Sequence, residues 1–216
     1  LSGPGHGKGQ GGWYERRGKR LLDVLGATTL LVAAAPVLAL VALAVLGVLG
    51  RPVLFRQARI GRGGVGFTLV KFRSMAPGPG EDAPRLGGFG RWLRASGLDE
   101  LPQLVNVLRG EMSLVGPRPL PLEYLPLLTP AQALRHRVRP GLAGLAQAAG
   151  RNRVPWPRRL ALDVRYAARP GLAADLGLLL RCAGLLLRGH GATAPGHATM
   201  PRLGAEKPSP ARAGEG

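Results

Sequence analysis

From Val24 to Leu49 the chain carries no charged residue. A helix needs roughly 20 apolar residues to cross a bilayer, so this stretch is long enough to be a membrane element, and everything else must fold around it. Three topologies compete. A secretory signal is suggested by Ala33-Ala34-Ala35 behind a basic start, but Pro36 would then follow the cut and a second apolar run continues behind it. A single spanning helix is the second topology. The third is a re-entrant element that enters and leaves on one side.

The flanks favour the third. Arg16, Arg17, Lys19 and Arg20 precede the stretch, and Arg51, Arg56, Arg59 and Arg62 follow it. Positive residues prefer the cytoplasmic side, so both ends call for the same side. Pro36 lies near the midpoint. A helix-interior proline removes one hydrogen bond and crowds the preceding turn. Each half, at about 1.5 Å per residue, is too short to span alone. A bent helix dipping into one leaflet, with Pro36 at the kink, satisfies both facts.

The net charge of +18, from 30 basic and 12 acidic residues, points to anionic partners: an acidic lipid surface, phosphate-bearing ligands or nucleic acid. The Ala-, Gly-, Pro- and Arg-rich composition explains part of that total as coding bias. Nucleic acid is disfavoured, because the three Trp, three Tyr and four Phe are not interleaved with the basic runs. Cys182 is alone, and His6, His136, His190 and His197 lack ligand spacing, which argues against a disulfide framework and a zinc site.

After the apolar stretch, "RPVLFRQARIGRGGVGFTLVKFRSM" gives two β-leaning runs, Pro52 to Ile60 and Phe67 to Met75, around a glycine turn. Gly61, Gly63 and Gly66 match G-x-G-x-x-G. A dinucleotide fingerprint needs a helix next, and a β-like run follows instead, so the glycines are assigned to a hairpin turn. Alternation puts Phe67, Leu69, Lys71 and Arg73 on one face.

In "GLDELPQLVNVLRGEMSLVGPRP" two acids, Asp99 and Glu100, stand together at the start of a helix. Either Pro102 occupies its first turn, or Ser96 and Asp99 open it as a capping-box-like S-x-x-D. The apolar face is expected to hold Leu101, Leu104, Val105 and Leu108. Free N–H groups at a helix start favour negative charge, which would keep an aspartate ionised as a nucleophile or metal ligand; the plainer alternative is that the acids merely stabilise the helix start. "GPRP" then restricts the backbone around Arg118, whose guanidinium suits phosphate oxygens. Arg139 in "RPG" and Arg151 in "GRNR" lie in two further cationic turns. An acid pair with several fixed arginines suits phosphoryl chemistry with Mg²⁺, which binds through one or two carboxylates plus substrate phosphates.

"KFRSM" (71–75), "LDELPQLVNVLRGEMSLVGPRP" (98–119), "RPGLAGLAQAAGR" (139–151) and "LALDVRYAARPGLAADLGLLLR" (160–181) together resemble the bacterial sugar transferases, the monotopic polyprenyl-phosphate phosphoglycosyl transferases, in their short form. The resemblance covers about Lys19 to Arg188. It implies that Asp99 is the nucleophile on the sugar-bearing phosphate of a UDP-sugar, that UMP leaves, and that polyprenyl phosphate then takes the sugar phosphate from the aspartate. It implies that Glu100 helps hold Mg²⁺ or deprotonates the lipid phosphate, that Asp99 shares the metal, and that Lys71, Arg73 and Arg118 bind phosphates. Asp163 stands where the family carries a further acid. The product would pass to other glycan-assembly enzymes. This chain departs from the family pattern in having Ala35 before Pro36 in place of Ser, Gly97 where Ser or Thr is common, Glu111 for Asp, Ala143 for Thr and Ala149 for Asn.

The expected fold is α/β, mostly helical with a small β-hairpin. A disordered lead (1–18) precedes a re-entrant membrane helix (19–50). A catalytic domain (51–188) rests on the cytoplasmic face of a bacterial inner membrane, and a disordered tail (189–216) follows. The apolar run Leu172 to Leu187 suits either an interfacial or a core helix.

Overall fold

The computed structural model describes residues 14–78, 85–150, 153–187 and 203; the side chains of Glu15 and Arg16 lie outside the description. Residues 1–13 of the expected lead (1–18) and all of the expected tail (189–216) but Leu203 also lie outside it, as do Arg151, His6, His190 and His197. Within the expected lead, Tyr14–Gly18 forms a π-helical turn running into the first helix, and Tyr14 donates to Asp175 at 2.6 Å. Leu203, in the expected tail, packs on a small cluster built from Ile60, Leu120, Tyr124, Trp156 and Leu160.

The elements are α1 (Lys19–Leu49), β1 (Leu54–Ile60), β2 (Gly66–Phe72), α2 (Gly88–Ser96), a 3-10 segment (Leu98–Gln103), α3 (Leu104–Arg109), β3 (Ser113–Val115), a second 3-10 segment (Leu122–Leu127), α4 (Pro130–Ala133), a third (Leu134–Arg137), β4 (Gly141–Ala143), α5 (Leu145–Ala148), α6 (Trp156–Ala168) and α7 (Leu172–Leu187). The architecture is mostly helical with a small antiparallel hairpin, as expected. β1 and β2 pair from Leu54↔Phe72 to Ile60↔Gly66. Their turn puts Gly63 (φ 68°) and Gly64 (φ 81°) in the left-handed region, so the glycines serve chain reversal. A short parallel pair, β3 with β4, was not expected. A Cβ on Gly141 would lie 2.0 Å from the Gly116 nitrogen, so this close approach requires glycine.

α1 is helical without interruption through Pro36 over 31 residues, about 46 Å at 1.5 Å per residue, and is long and apolar enough to cross a membrane. The expected division into two halves at Pro36 is absent from the secondary structure. Most of its side chains are exposed, Val32, Leu40 and Leu43 among them. Both ends, however, are held by one folded unit. At the first end, Arg20 donates to the Val107 and Leu108 carbonyls of α3 at 2.6 and 2.8 Å. Asp23 accepts from the Ser113 hydroxyl (2.9 Å) and the Leu114 N–H (2.8 Å), and Lys19 pairs with Asp175 of α7 at 2.6 Å. At the second end, Val41 and Val45 are buried with Phe72 of β2 and Leu93 of α2.

Arg73 completes that second end. Its guanidinium donates to the carbonyls of Leu49, Gly50 (2.8 Å) and Arg51 (3.0 Å). The last carbonyls of a helix have no partner within it, and a cationic side chain there answers both the orphaned acceptors and the helix dipole.

The main core gathers Ala27, Leu69, Leu104, Val107, Met112, Val115, Ala143, Tyr166 and Leu178. α7 is neither wholly core nor wholly interfacial. Asp175 and Leu178 face inward, whereas Leu172, Leu176 and Leu180 are exposed. Asp175 accepts from Tyr14, Lys19 and Tyr166, which offsets the cost of its burial.

Arg73→Ala is expected to cost about 2 kcal/mol, because charged hydrogen bonds from a buried guanidinium to part-buried carbonyls are lost. Arg56→Ala, at an exposed position, should change stability by less than about 0.5 kcal/mol. Thermal unfolding followed by circular dichroism in detergent checks the pair; equal effects would contradict the capping role.

Candidate active site

The site begins where α2 stops. Gly97 takes φ 73°, and its N–H bonds the Arg94 carbonyl, ending the helix. The chain then winds into the 3-10 segment, with Glu100 N–H on the Gly97 carbonyl at 3.1 Å. The expected capping box at Ser96 does not form; the Ser96 hydroxyl donates back to the Leu93 carbonyl. Pro102 sits inside the 3-10 segment, ahead of α3. Gly97 has a second reason to lack a side chain, because a Cβ would meet the Leu186 side chain at 2.6 Å.

Asp99 is 3% exposed. Lys71, on β2, places its Nζ 3.9 Å from Asp99 Oδ2. Glu100 takes a two-pronged bond from Arg118, whose Nη1 lies 3.2 Å from Oε2 and whose Nη2 closes on Oε1. The strand lysine and the "GPRP" arginine are thus both neighbours of the acid pair. A small cleft, with about 20 Å³ accessible to water, opens between them, lined by Arg59, Leu69, Lys71, Gln103, Arg118 and Pro119.

Burial, and then the Glu100 charge, push the Asp99 carboxyl up to about 6, against the pull of Lys71, Arg94 and Arg118. This corrects the expectation that a helix start would favour the ionised form. The 3-10 segment is two turns long, and loss of water outweighs what its dipole supplies. Lys71 is pushed down by burial, with Asp99 opposing. Arg118 is pushed up, chiefly by Glu100. Burial, and then Arg118, bring Arg59 down to about 10; Arg159 reaches about 10 for the same reasons. The cleft thus concentrates positive charge beside one carboxylate that is unusually basic, hence a better nucleophile than an exposed aspartate.

Lys71, Asp99, Glu100 and Arg118 are brought together. Arg73 is not among them, because its guanidinium is committed to the end of α1. Arg139 is directed to the Gly110 carbonyl at 2.8 Å. Asp163 is buried in α6 and pairs with Arg135 at 2.6 Å; Arg135 also donates to the Arg118 carbonyl at 2.7 Å. Asp163 therefore stands behind Arg118 and braces it. Ala143 is buried in the core, and Ala149 is exposed at the end of α5.

Sequence reasoning missed Arg59, Arg94, Gln103, Arg135 and Arg159 as members of this surrounding. Arg59 was within reach: the hairpin register sets it opposite Phe67, on the face that carries Lys71. For the others no local pattern marks the site.

The sequence profile of the bacterial sugar transferase family matches residues 14–189. The chain belongs to this family. It is 41% identical over 191 residues to a Bacillus subtilis (strain 168) protein named Uncharacterized sugar transferase EpsL, covering 86% of this chain and 95% of that one. It is 44% identical over 187 residues to the UDP-glucose:undecaprenyl-phosphate glucose-1-phosphate transferase of Caulobacter vibrioides, covering 78% and 69%. It is 38% identical over 186 residues to the Exopolysaccharide production protein ExoY of Rhizobium meliloti (strain 1021), covering 76% and 82%. The sugar transferase family thus accounts for nearly all of the described chain, including both acids and the "GPRP" turn.

A carboxyl raised by folding stabilises the fold while protonated. That contribution is present below about pH 4 and is lost as the pH rises through about 6. Titration of ¹³C-labelled aspartates by NMR in metal-free protein should place the Asp99 midpoint near 6. Glu100→Gln should lower it and Lys71→Met should raise it. A midpoint near the ordinary value of about 4 would contradict the electrostatic description.

Proposed function

We propose that this sugar transferase moves a sugar 1-phosphate from a UDP-sugar to undecaprenyl phosphate, as the first membrane step of a bacterial polysaccharide or glycoconjugate. The observation that carries the proposal is the buried Asp99 carboxyl facing Lys71, with its neighbour Glu100 clasped by Arg118. The names of relatives such as the Caulobacter enzyme support the donor and acceptor classes.

Asp99 attacks the phosphorus that carries the sugar. The bond from that phosphorus to the bridging oxygen breaks, and UMP leaves with the oxygen. A phosphosugar ester remains on Asp99. An oxygen of polyprenyl phosphate then attacks the same phosphorus and expels the Asp99 carboxylate, giving a polyprenyl diphosphate sugar. Splitting one displacement into two in this way is covalent catalysis. Lys71, Arg118 and Arg59 line the cleft in which the diphosphate charge must be held.

Mg²⁺ suits this donor set in its chemistry. Asp99 and Glu100 are adjacent carboxylates, and their mutual repulsion helps raise Asp99; a hard dication needing one or two carboxylates plus substrate phosphates relieves that repulsion. When bound, it would neutralise diphosphate charge. Glu100 would exchange some of its hold on Arg118 for this role, freeing the guanidinium for phosphate.

The same proposal places α1 in one leaflet, as a re-entrant helix, with the fold on the cytoplasmic face. Support comes from the two ends of α1, which bind one folded unit, and from basic residues on both flanks. There the soluble donor and the lipid phosphate reach one site, and the basic surface meets anionic lipid.

Purified protein with Mg²⁺, UDP-glucose and undecaprenyl phosphate is expected to release UMP. Asp99→Asn should lower release by more than about 10³-fold, the loss of a nucleophile, whereas Arg181→Ala, exposed on α7, should change it less than about twofold. Full turnover in Asp99→Asn would overturn the mechanism. Cysteines placed before Arg16 and after Arg62 should label from the same side of the membrane; labelling from opposite sides would instead establish a spanning helix.

A further inference from the structure

Lys71 and Asp99 sit on different elements, β2 and the 3-10 segment, and they are 3.9 Å apart. That is an ion-pair distance, too long for a hydrogen bond, so the pair does not fix its own spacing. Something else must hold the strand against the segment.

β2 has β1 on one edge. On its other edge, the Thr68 carbonyl and the Val70 N–H point away from β1. Both are taken by one side chain. Asn106 donates from Nδ2 to the Thr68 carbonyl at 2.8 Å, and its Oδ1 accepts from the Val70 N–H at 3.1 Å. One acceptor at residue i and one donor at residue i+2 is the set that a single residue of a parallel neighbour strand would engage. A carboxamide is a peptide group in miniature and can make both bonds. Aspartate lacks the donor, and glutamine is longer by one methylene.

Asn106 is itself fixed. Its second Nδ2 hydrogen goes to Glu111 Oε2 at 2.6 Å. Its backbone carbonyl accepts from the Glu111 and Met112 N–H groups at 3.1 and 3.2 Å. The side chain is fully buried, so no water competes for these bonds. α3, which carries Asn106, continues directly from the 3-10 segment that carries Asp99 and Glu100. The contact at Val70 is one residue before Lys71. A single side chain therefore registers the nucleophile segment against the lysine strand.

We propose that Asn106 is a positioning residue that sets the separation of Lys71 from Asp99 by standing in for a neighbouring strand on the open edge of β2. Glu111, one methylene longer than the aspartate common in the family, is the residue that orients the Asn106 carboxamide. The activity readout below rests on the proposed function; the cross-linking readout does not.

The test uses the full chain in detergent or nanodiscs. Wild-type protein treated with a water-soluble carbodiimide is expected to form a zero-length amide between Lys71 and Asp99, detected by peptide mass spectrometry. Asn106→Ala should lower that yield at least about fivefold while circular dichroism stays unchanged. In UMP release, Asn106→Ala should reduce kcat by about 10- to 100-fold, the scale of an ångström-sized misplacement, with KM for the UDP-sugar changed by less than about threefold. Placed in Lys71→Ala protein, the same substitution should cost less than about threefold more, because the two residues act through one contact. If Asn106→Ala fails to fold, Glu111→Ala, which leaves both Lys71 and Asp99 in place, should show the same pattern with a smaller loss. A wild-type cross-link yield in a folded variant, no cross-link in the wild type, or an undiminished loss in the Lys71→Ala background would overturn the proposal. Wild-type protein that releases no UMP would instead defeat the functional proposal, and the cross-link would still decide the role of Asn106.

Discussion

Burying a carboxylate is costly unless cations and donors compensate for lost water. Asp99 is buried, its neighbour Glu100 repels it, and Lys71 stands close without touching. The compensation is incomplete, and the raised carboxyl is the sign of it. A fully satisfied aspartate would be stable and inert. An incompletely satisfied one is more basic, as the proposed attack on phosphorus requires, and the surrounding cations of Lys71, Arg59 and Arg118 suit the anionic oxygens that phosphorus would carry. Much of the surrounding architecture keeps this imbalance in place. Asn106 holds the lysine strand, Arg135 and Asp163 brace the Arg118 backbone, and the β3–β4 pair anchors the "GPRP" turn.

The long apolar helix α1 is part of this arrangement. Its first end is tied to α3 and β3 by Arg20 and Asp23, the elements that follow the acid pair. Its second end is capped by Arg73, two residues beyond Lys71. The apolar helix thus grips both halves of the site. That geometry supports the proposed reaction between a water-soluble donor and a lipid-borne phosphate acceptor.

Much of this was legible in the sequence. The charge-free run, the hairpin and the acid pair each show over enough residues for a period or composition to register. Other features were hidden for physical reasons. β3 and β4 are three residues each, too short for alternation to show. Of the expected apolar face of α3, Leu101, Leu104 and Leu108 do pack in or against the main core, whereas Val105 is exposed and Val107, three residues after Leu104, takes its place. Arg73 shares a face with Lys71 by alternation, but β2 ends at Phe72, and the orphaned carbonyls of α1 claim the guanidinium. Asp163 was singled out for substrate or phosphate binding, whereas here it pairs with Arg135, 28 residues away in sequence and beyond any local pattern.

The central claim is that Asp99 itself bonds to phosphorus. Intact-protein mass spectrometry after brief exposure to Mg²⁺ and a UDP-hexose, with no lipid acceptor, tests it most directly. A mass gain of one hexose phosphate, mapped to the peptide that contains Asp99 and discharged on adding undecaprenyl phosphate, is the predicted result. An unmodified protein that nevertheless turns over when both substrates are present would contradict it.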